Sequence, residues 1–224
     1  MKAAEKKNRA PSRPVASRRG RSRPRRTHAE RTAETRAKIK AATVEAIAEV
    51  GFKRATATEI SRRAGVTWGA GQHHFGDKVG ILLAVLEDGA AEFMDRVDRV
   101  PTEGLSLDER IDGFVDAAWE HFRSDSFRSA SEIVSNLAGM PEGDGGLPEG
   151  AAAVQLDRWG ATWKRLFGDV PLSASRALAI QGYVVATLSG LSSVHIFQTA
   201  SSRIEKRQIG FLKDTLRREF AAAP

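Results

Sequence analysis

The chain has no cysteine in its 224 residues. That excludes a disulfide framework and any thiolate metal or redox centre. No apolar run approaches the ~20 residues of a membrane helix, so no membrane partner is expected. The arginine-rich start is not followed by an apolar segment, which argues against a secretory signal; its Arg and Ser richness resembles a transit peptide in composition alone. Cytoplasmic residence is the expectation. No stretch alternates apolar and polar residues with the period of two that marks a half-buried strand. Catalytic constellations are missing as well. His121 and His195 stand alone in the C-terminal half and read as core or interface residues. No cofactor and no metal is expected.

What is present is charge, unevenly spread. Hydrophobic residues make up 41% and charged residues 28%, a composition that can close one large or two small cores. The formal net charge is +7, but residues 1–31 alone hold 12 Lys/Arg against 2 Asp/Glu, a net of +10, leaving the body at −3. Those 31 residues include three prolines and almost no large apolar group. Such a segment cannot bury enough surface to offset its ordering entropy, and a disordered arm is expected. An arm of this kind can lie along phosphates and release counterions, or probe a minor groove with arginine. A merely solvated tail reads equally well.

The densest local signal lies between Gly51 and Lys78. Thr56-Ala57-Thr58-Glu59 has the form of a capping box. It opens a helix whose inner face is Ala57, Ile60 and Ala64, and Gly65 can end that helix in the left-handed region. Val66 tucks under the corner and Thr67 caps a second helix bearing Trp68, Gln72 and His73. Helix, glycine turn and helix make a helix-turn-helix, which sets its second helix in a DNA major groove.

Gly51-Phe52, Thr56, Ile60, Ala64-Gly65-Val66-Thr67, His73-His74-Phe75 and Lys78 resemble the N-terminal domain of the tetracycline-repressor family of bacterial regulators. The resemblance covers roughly residues 36–90. It implies a homodimeric, all-helical DNA-binding protein whose larger C-terminal domain binds a small molecule and then releases DNA. It also implies phosphate contacts at His73 and Lys78, and a backbone-proximal position at Thr58. Two residues depart from the family pattern: Gly71 where a core leucine is usual, and Gln72 where tyrosine is common.

On the second helix, spacing turns Ala70, Gly71 and Phe75 inward and leaves Trp68 with Gln72, and Gly69 with His73, as the exposed stripe. Gln72 suits adenine and the Trp68 ring edge a thymine methyl, whereas Thr67 and Lys78 suit phosphates at helix N-termini. Gly71 leaves a core position unfilled and softens the helix, at a cost of about 1 kcal/mol relative to Ala. The DNA-facing set is Thr56, Thr58, Thr67, Trp68, Gly69, Gln72, His73 and Lys78. Gly69-Ala70-Gly71 is no dinucleotide fingerprint, because His74 stands where the third glycine belongs and no strand precedes it. Adjacent His73 and His74 point about 100° apart on a helix and cannot share a metal.

Periodicity gives an all-α chain: a first helix at 35–50 with a basic outer face (Arg36, Lys38, Lys40), then 57–64 and 68–75, then a fourth capped by Asp77 and running to about 100. Further helices are expected at 107–123, 127–137, 151–167, 173–199 and 202–220, with an acidic mobile loop at 140–150. The organisation is an arm (1–31), a helix-turn-helix domain (32–78) and a helical ligand-binding and dimerisation domain (79–224). Residues 182–199 are apolar or small on nearly every side. Gly182, Ser189, Gly190 and Ser193 admit a close helix, so the last two helices (173–220) are the expected homodimer interface. Trp119, Phe122, Trp159, Trp163 and Tyr183 are candidates to line an effector pocket, though each reads as well as plain core. Three functions stand: a repressor released from a palindromic operator by a small-molecule effector, an effector-free architectural DNA-binding protein relying on its arm, and a helical enzyme.

Overall fold

A computed structural model describes residues 27–138, 153–195 and 202–222, and every element among them is an α-helix. The order is α1 (His28–Val50), α2 (Ala57–Ala64), α3 (Trp68–Phe75), α4 (Lys78–Asp98), α5 (Leu107–Phe122), α6 (Asp125–Leu137), α7 (Ala153–Phe167), α8 (Ala174–His195) and α9 (Ser202–Ala221). The arm expected over residues 1–26 and the loop at 140–150 lie outside the described residues. Residues 27–31, expected to be disordered, are the start of α1 instead. Thr27 accepts from the Glu30 amide while the Glu30 carboxylate accepts from the Thr27 amide, a complete capping box seven residues before the expected start.

Two apolar cores divide the chain. The first joins Ile39, Ala46 and Ile47 of α1 and Ile60 of α2 to Ile81, Leu82 and Val85 of α4 and to Ile133 and Leu137 of α6. The second is a bundle of α5, α7, α8 and α9, built on Phe114, Trp119, Phe122, Trp163, Phe167, Leu188, Leu212 and Phe220, and it also takes in Val97 at the end of α4. α4 therefore enters both. Its far end is held by α7, where Arg165 donates to the carbonyls of Val97 (3.0 Å) and Val100 (2.9 Å). The Val97 carbonyl also accepts from the Val100 amide at 3.0 Å, so the guanidinium adds a second tie at the turn that ends α4. α6 braces the head from the other side: Glu132 accepts from the Phe52 amide at 2.9 Å, and the Ser129 hydroxyl donates to the Val44 carbonyl at 3.2 Å.

Residues 182–199, read as covered by the core, a partner subunit or both, are covered along one stripe by the single chain in their described part. Along α8 only Ile180, Val184, Leu188 and Ser192, four apart, are buried. Leu178 (70%), Tyr183, Val185 and Val194 remain exposed, as do Ile204 (52%) and Phe211 (58%) on α9. By length and composition Ala174–Val194 is apolar enough to cross a membrane, contrary to the sequence reading. Its small and hydroxyl residues hid the run from inspection.

His121 sits 7% exposed on α5, its ring 5.1 Å from that of Phe93 on α4, 5.9 Å from Phe122 and 5.7 Å from Phe127 on α6. Burial in this aromatic nest, helped by the charge on Arg96, lowers its pKa to about 4. The folded state thus binds fewer protons than the unfolded chain, so this contribution to stability is intact above pH ~6.5 and is lost as pH falls toward 4. We expect the loss to reach roughly 3 kcal/mol in wild type and to vanish in His121→Leu. Urea titrations at pH 7 and pH 4.5 measure it; an equal pH dependence in both proteins refutes it.

Candidate nucleic-acid interface

α2 and α3 are each eight residues long, too short to persist alone. Their ends are fixed by local chemistry. The Thr56 hydroxyl accepts from the Glu59 amide at 3.2 Å, and the Thr67 hydroxyl from the Ala70 amide at 3.3 Å. Gly65 lies at φ 66°, so the Val66 amide reaches the Ser61 carbonyl at 3.1 Å and closes α2. Asp77 accepts from the Gly80 amide at 2.8 Å and starts α4 as expected. A Cβ on Gly80 would stand 2.0 Å from the Phe75 carbonyl oxygen, so only glycine lets α4 begin this close to the end of α3.

Half of the anticipated capping box at Thr56 is absent. The Glu59 carboxylate does not return to the cap; it accepts from Arg62 (2.7 and 2.9 Å) and Arg63 (2.6 Å). These hydrogen bonds, from Arg62 first and then Arg63, hold its pKa down to about 2. Two guanidinium groups outcompete one amide for the same carboxylate. Arg63 also pairs with Glu49 (2.7 Å) and Glu45 (3.3 Å), tying α2 to α1.

On α3, Gly69, Gln72 and His73 are exposed, together with the caps Thr56 and Thr67 and with Thr58. Gly71 is buried and Ala70 and Phe75 are half-buried, as spacing predicts. Trp68 departs from the expected stripe. Its indole is half-buried and packs on the head core, lying across Gly71. A Cβ at position 71 would stand 3.2 Å from two of its ring carbons. The position read as an unfilled core site is thus filled by Trp68 from within the same helix. Lys78 is half-buried, with its ammonium 4.7 Å from the Phe52 ring centroid, and burial lowers its pKa. It spans the α1–α2 corner.

Sequence reading missed Arg36. The guanidinium lies 4.2 Å above the Phe75 ring centroid and donates to the His74 carbonyl, satisfying the end of α3 from α1. The other two basic residues of that face are also engaged: Lys38 with Glu34 at 3.0 Å, and Lys40 with Asp88. Thirty-eight residues separate Arg36 from its acceptor, and no local pattern announces the pairing.

The five aromatics considered for a pocket do not line one cavity, although Trp159 and Trp163 are in ring contact at 5.9 Å. Trp119, Phe122 and Trp163 are consumed by the bundle core, with the Trp119 indole N–H donating to Glu205 at 2.8 Å. Tyr183 is exposed and borders a separate groove with Arg176 and Thr215. Only Trp159 lines an apolar groove of about 520 Å³ between α4, α7 and α8, beside Phe93, Leu178, Gln181 and Val185. Its indole stacks on Phe93 at 5.6 Å and donates to Gln181 at 2.5 Å.

Residues 39–85 match the family model described as bacterial regulatory proteins, tetR family. The HTH-type transcriptional regulator BetI of Escherichia coli O17:K52:H18 (strain UMN026 / ExPEC) is 40% identical over 83 residues, 35% of this chain and 42% of that protein. The chain thus spans about two fifths of that curated relative. The fatty acid degradation regulator FadR from Bacillus halodurans aligns over 79% of this chain and 97% of its own, with TM-score 0.58 and 18% identity. BioQ, solved with its natural double-stranded DNA operator, aligns over 84% of this chain and 98% of its own, with TM-score 0.51 and 21% identity. At these identities the two structures share a fold.

The contact between Trp68 and Gly71 generates a sign prediction. Gly71→Ala should stabilise a Trp68→Ala background by up to about 1 kcal/mol, through helix propensity alone. In wild type the same change meets the indole, and the gain should shrink or reverse, giving a coupling of at least ~0.5 kcal/mol in a double-mutant cycle of urea unfolding. Additive effects would show that the indole does not rest there.

Proposed function

We propose that this chain, which matches the tetR family model over residues 39–85, is a member of that family of bacterial regulatory proteins and acts as a cytoplasmic, DNA-binding transcriptional regulator. In this reading residues 32–78 carry the DNA contacts and residues 79–224 the dimer contacts and the effector site. The observation that carries it is the face of α3. Gly69, Gln72 and His73 stand exposed between two capped helix starts, on an element whose buried side is fully occupied. An exposed glutamine on a short, rigidly seated helix has the chemistry to read adenine in a major groove. Thr56, Thr58 and Thr67 flank it with hydroxyls suited to phosphates.

The protein acts as a homodimer in this proposal, through α8 and α9. Support comes from the apolar face those helices leave uncovered, Val185, Val194, Ile204 and Phe211 among it. Within the subunit a Cβ on Gly190 or Gly210 would meet nothing. Their smallness serves no contact among the described residues, whereas a partner helix needs it for close approach. The two-fold axis of such a dimer presents two copies of α3 to a palindromic operator.

Release by a small molecule is supported by the groove against α4. Phe93 and Met94 of α4 line it, and the same helix reaches the head core through Ile81, Leu82 and Val85. A ligand preferring one placement of α4 would bias the placement of α3, which is all that an effector requires. The lining of Ala90, Phe93, Met94, Trp159 and Leu178, with Gln181 as the polar group, suits an uncharged, largely apolar molecule.

Selection from random-sequence duplexes by the purified protein tests the DNA reading. Enriched inverted repeats, with half-sites about one helical turn (~10 bp) or a multiple apart, are expected. Gln72→Ala should lose about 1–3 kcal/mol of discrimination at one base pair per half-site. Recovery of an unenriched pool would favour the architectural alternative. For the dimer, Gly190→Leu should give a folded monomer by analytical ultracentrifugation with unchanged helical circular dichroism. A dimer that survives the substitution moves the interface elsewhere.

A further inference from the structure

The first turns of α1 and the C-terminal half of α3 enclose a small cleft of about 280 Å³, lined by His28, Arg31, Thr32 and Thr35 on one side and His73 and His74 on the other. No carboxylate lines it. The acidic groups nearby in sequence are engaged elsewhere: Glu30 with the Thr27 amide, Glu34 with Lys38, and Asp77 with the Gly80 amide. Of the cations on the packed elements, Arg36 is fixed behind α3 over Phe75, and Lys78 lies over Phe52. The rings of His73 and His74 are 5.2 Å apart, and the charged groups facing His74 are His73, Arg36 and His28. Among the described residues, basic side chains and the Thr32 hydroxyl thus converge without an opposing charge, while the Thr35 hydroxyl donates to the Arg31 carbonyl at 2.9 Å. His73, one residue from Gln72, shares the cleft with the exposed face of α3.

We propose that this cleft receives one backbone phosphate of the bound DNA, and that His74 takes up a proton as the phosphate enters, so that DNA affinity rises as pH falls. The proposal rests on the DNA-binding reading above and adds to it the α1 half of the contact and a proton linkage. The cleft has room for a tetrahedral oxyanion and donors suited to one. Arg31 is permanently charged, and Thr32 offers a hydroxyl. Imidazoles ordinarily titrate near pH 6.5. In the free protein burial, and after it the neighbouring basic groups His73, Arg36 and His28, lower the pKa of His74. A phosphate supplies the missing opposite charge and favours the protonated imidazole. The bound state therefore holds more protons than the free state. Affinity strengthens as pH falls through 7 to 6 and levels off in the alkaline range, where Arg31 acts without them.

Fluorescence anisotropy on a labelled duplex from the selected pool, at fixed ionic strength between pH 6 and pH 8, tests this. Wild type should bind on the order of tenfold or more tighter at pH 6 than at pH 8, about tenfold per pH unit for each proton fully taken up. His74→Asn should flatten the slope with helical circular dichroism unchanged, whereas His28→Asn, at an exposed residue on the first turn of α1, should weaken binding without unfolding the protein. Arg31→Gln should weaken binding at every pH and keep the slope. A neutral methylphosphonate moved stepwise through the half-site should abolish the slope at one linkage. Equal slopes in wild type and His74→Asn, or no linkage that affects the slope, overturn the inference while leaving the regulator reading intact. No DNA binding at any pH overturns that reading instead.

Discussion

Two eight-residue helices have to be held in one orientation by residues outside them, and the design of the head follows from that constraint. Isolated helices this short pay their nucleation cost without enough bonds to recover it. Threonine caps fix the starts, Gly65 and Asp77 fix the transitions, and ties from α1 fix the direction: Arg63 with Glu45 and Glu49, and Arg36 with the end of α3. The exposed residues of α3 can face outward because everything on its other side is already committed.

The sequence made legible whatever is decided within a few residues. Caps at Thr56, Thr67 and Asp77, the left-handed Gly65 and the helical periodicity of the nine elements all belong to that class. Choices settled by competition were less legible. Glu59 had a cap to close but two arginines within one turn, and the arginines won. Trp68 had a place on an outward stripe by angle, yet the missing side chain at Gly71 gave its ring a surface to lie on. Contacts between distant segments were not legible at all. Arg36 reaching His74 and Glu132 reaching Phe52 depend on how helices far apart in sequence cross.

The aromatic residues of the C-terminal half show the same limit. Trp119, Phe122 and Trp163 have the character of pocket residues and became core, because four helices converge on them. Trp159, one turn before Trp163, borders open space instead. Residue type identifies which side chains can line a cavity; helix crossing decides which of them do. α8 carries the point further. Its apolar composition suggested enclosure, and the single chain encloses only one stripe of it.

α4 has a thermodynamic consequence. Ile81, Leu82 and Val85 complete the head core, while Val97 on the same helix belongs to the bundle. Ile133 and Leu137, from a helix more than fifty residues later in the chain, close the head as well. A fragment cut after residue 78 would leave Ile39, Ile47 and Ile60 facing water. Melting should accordingly be one cooperative event, with amides of α1 and of α5 exchanging hydrogen through the same global opening.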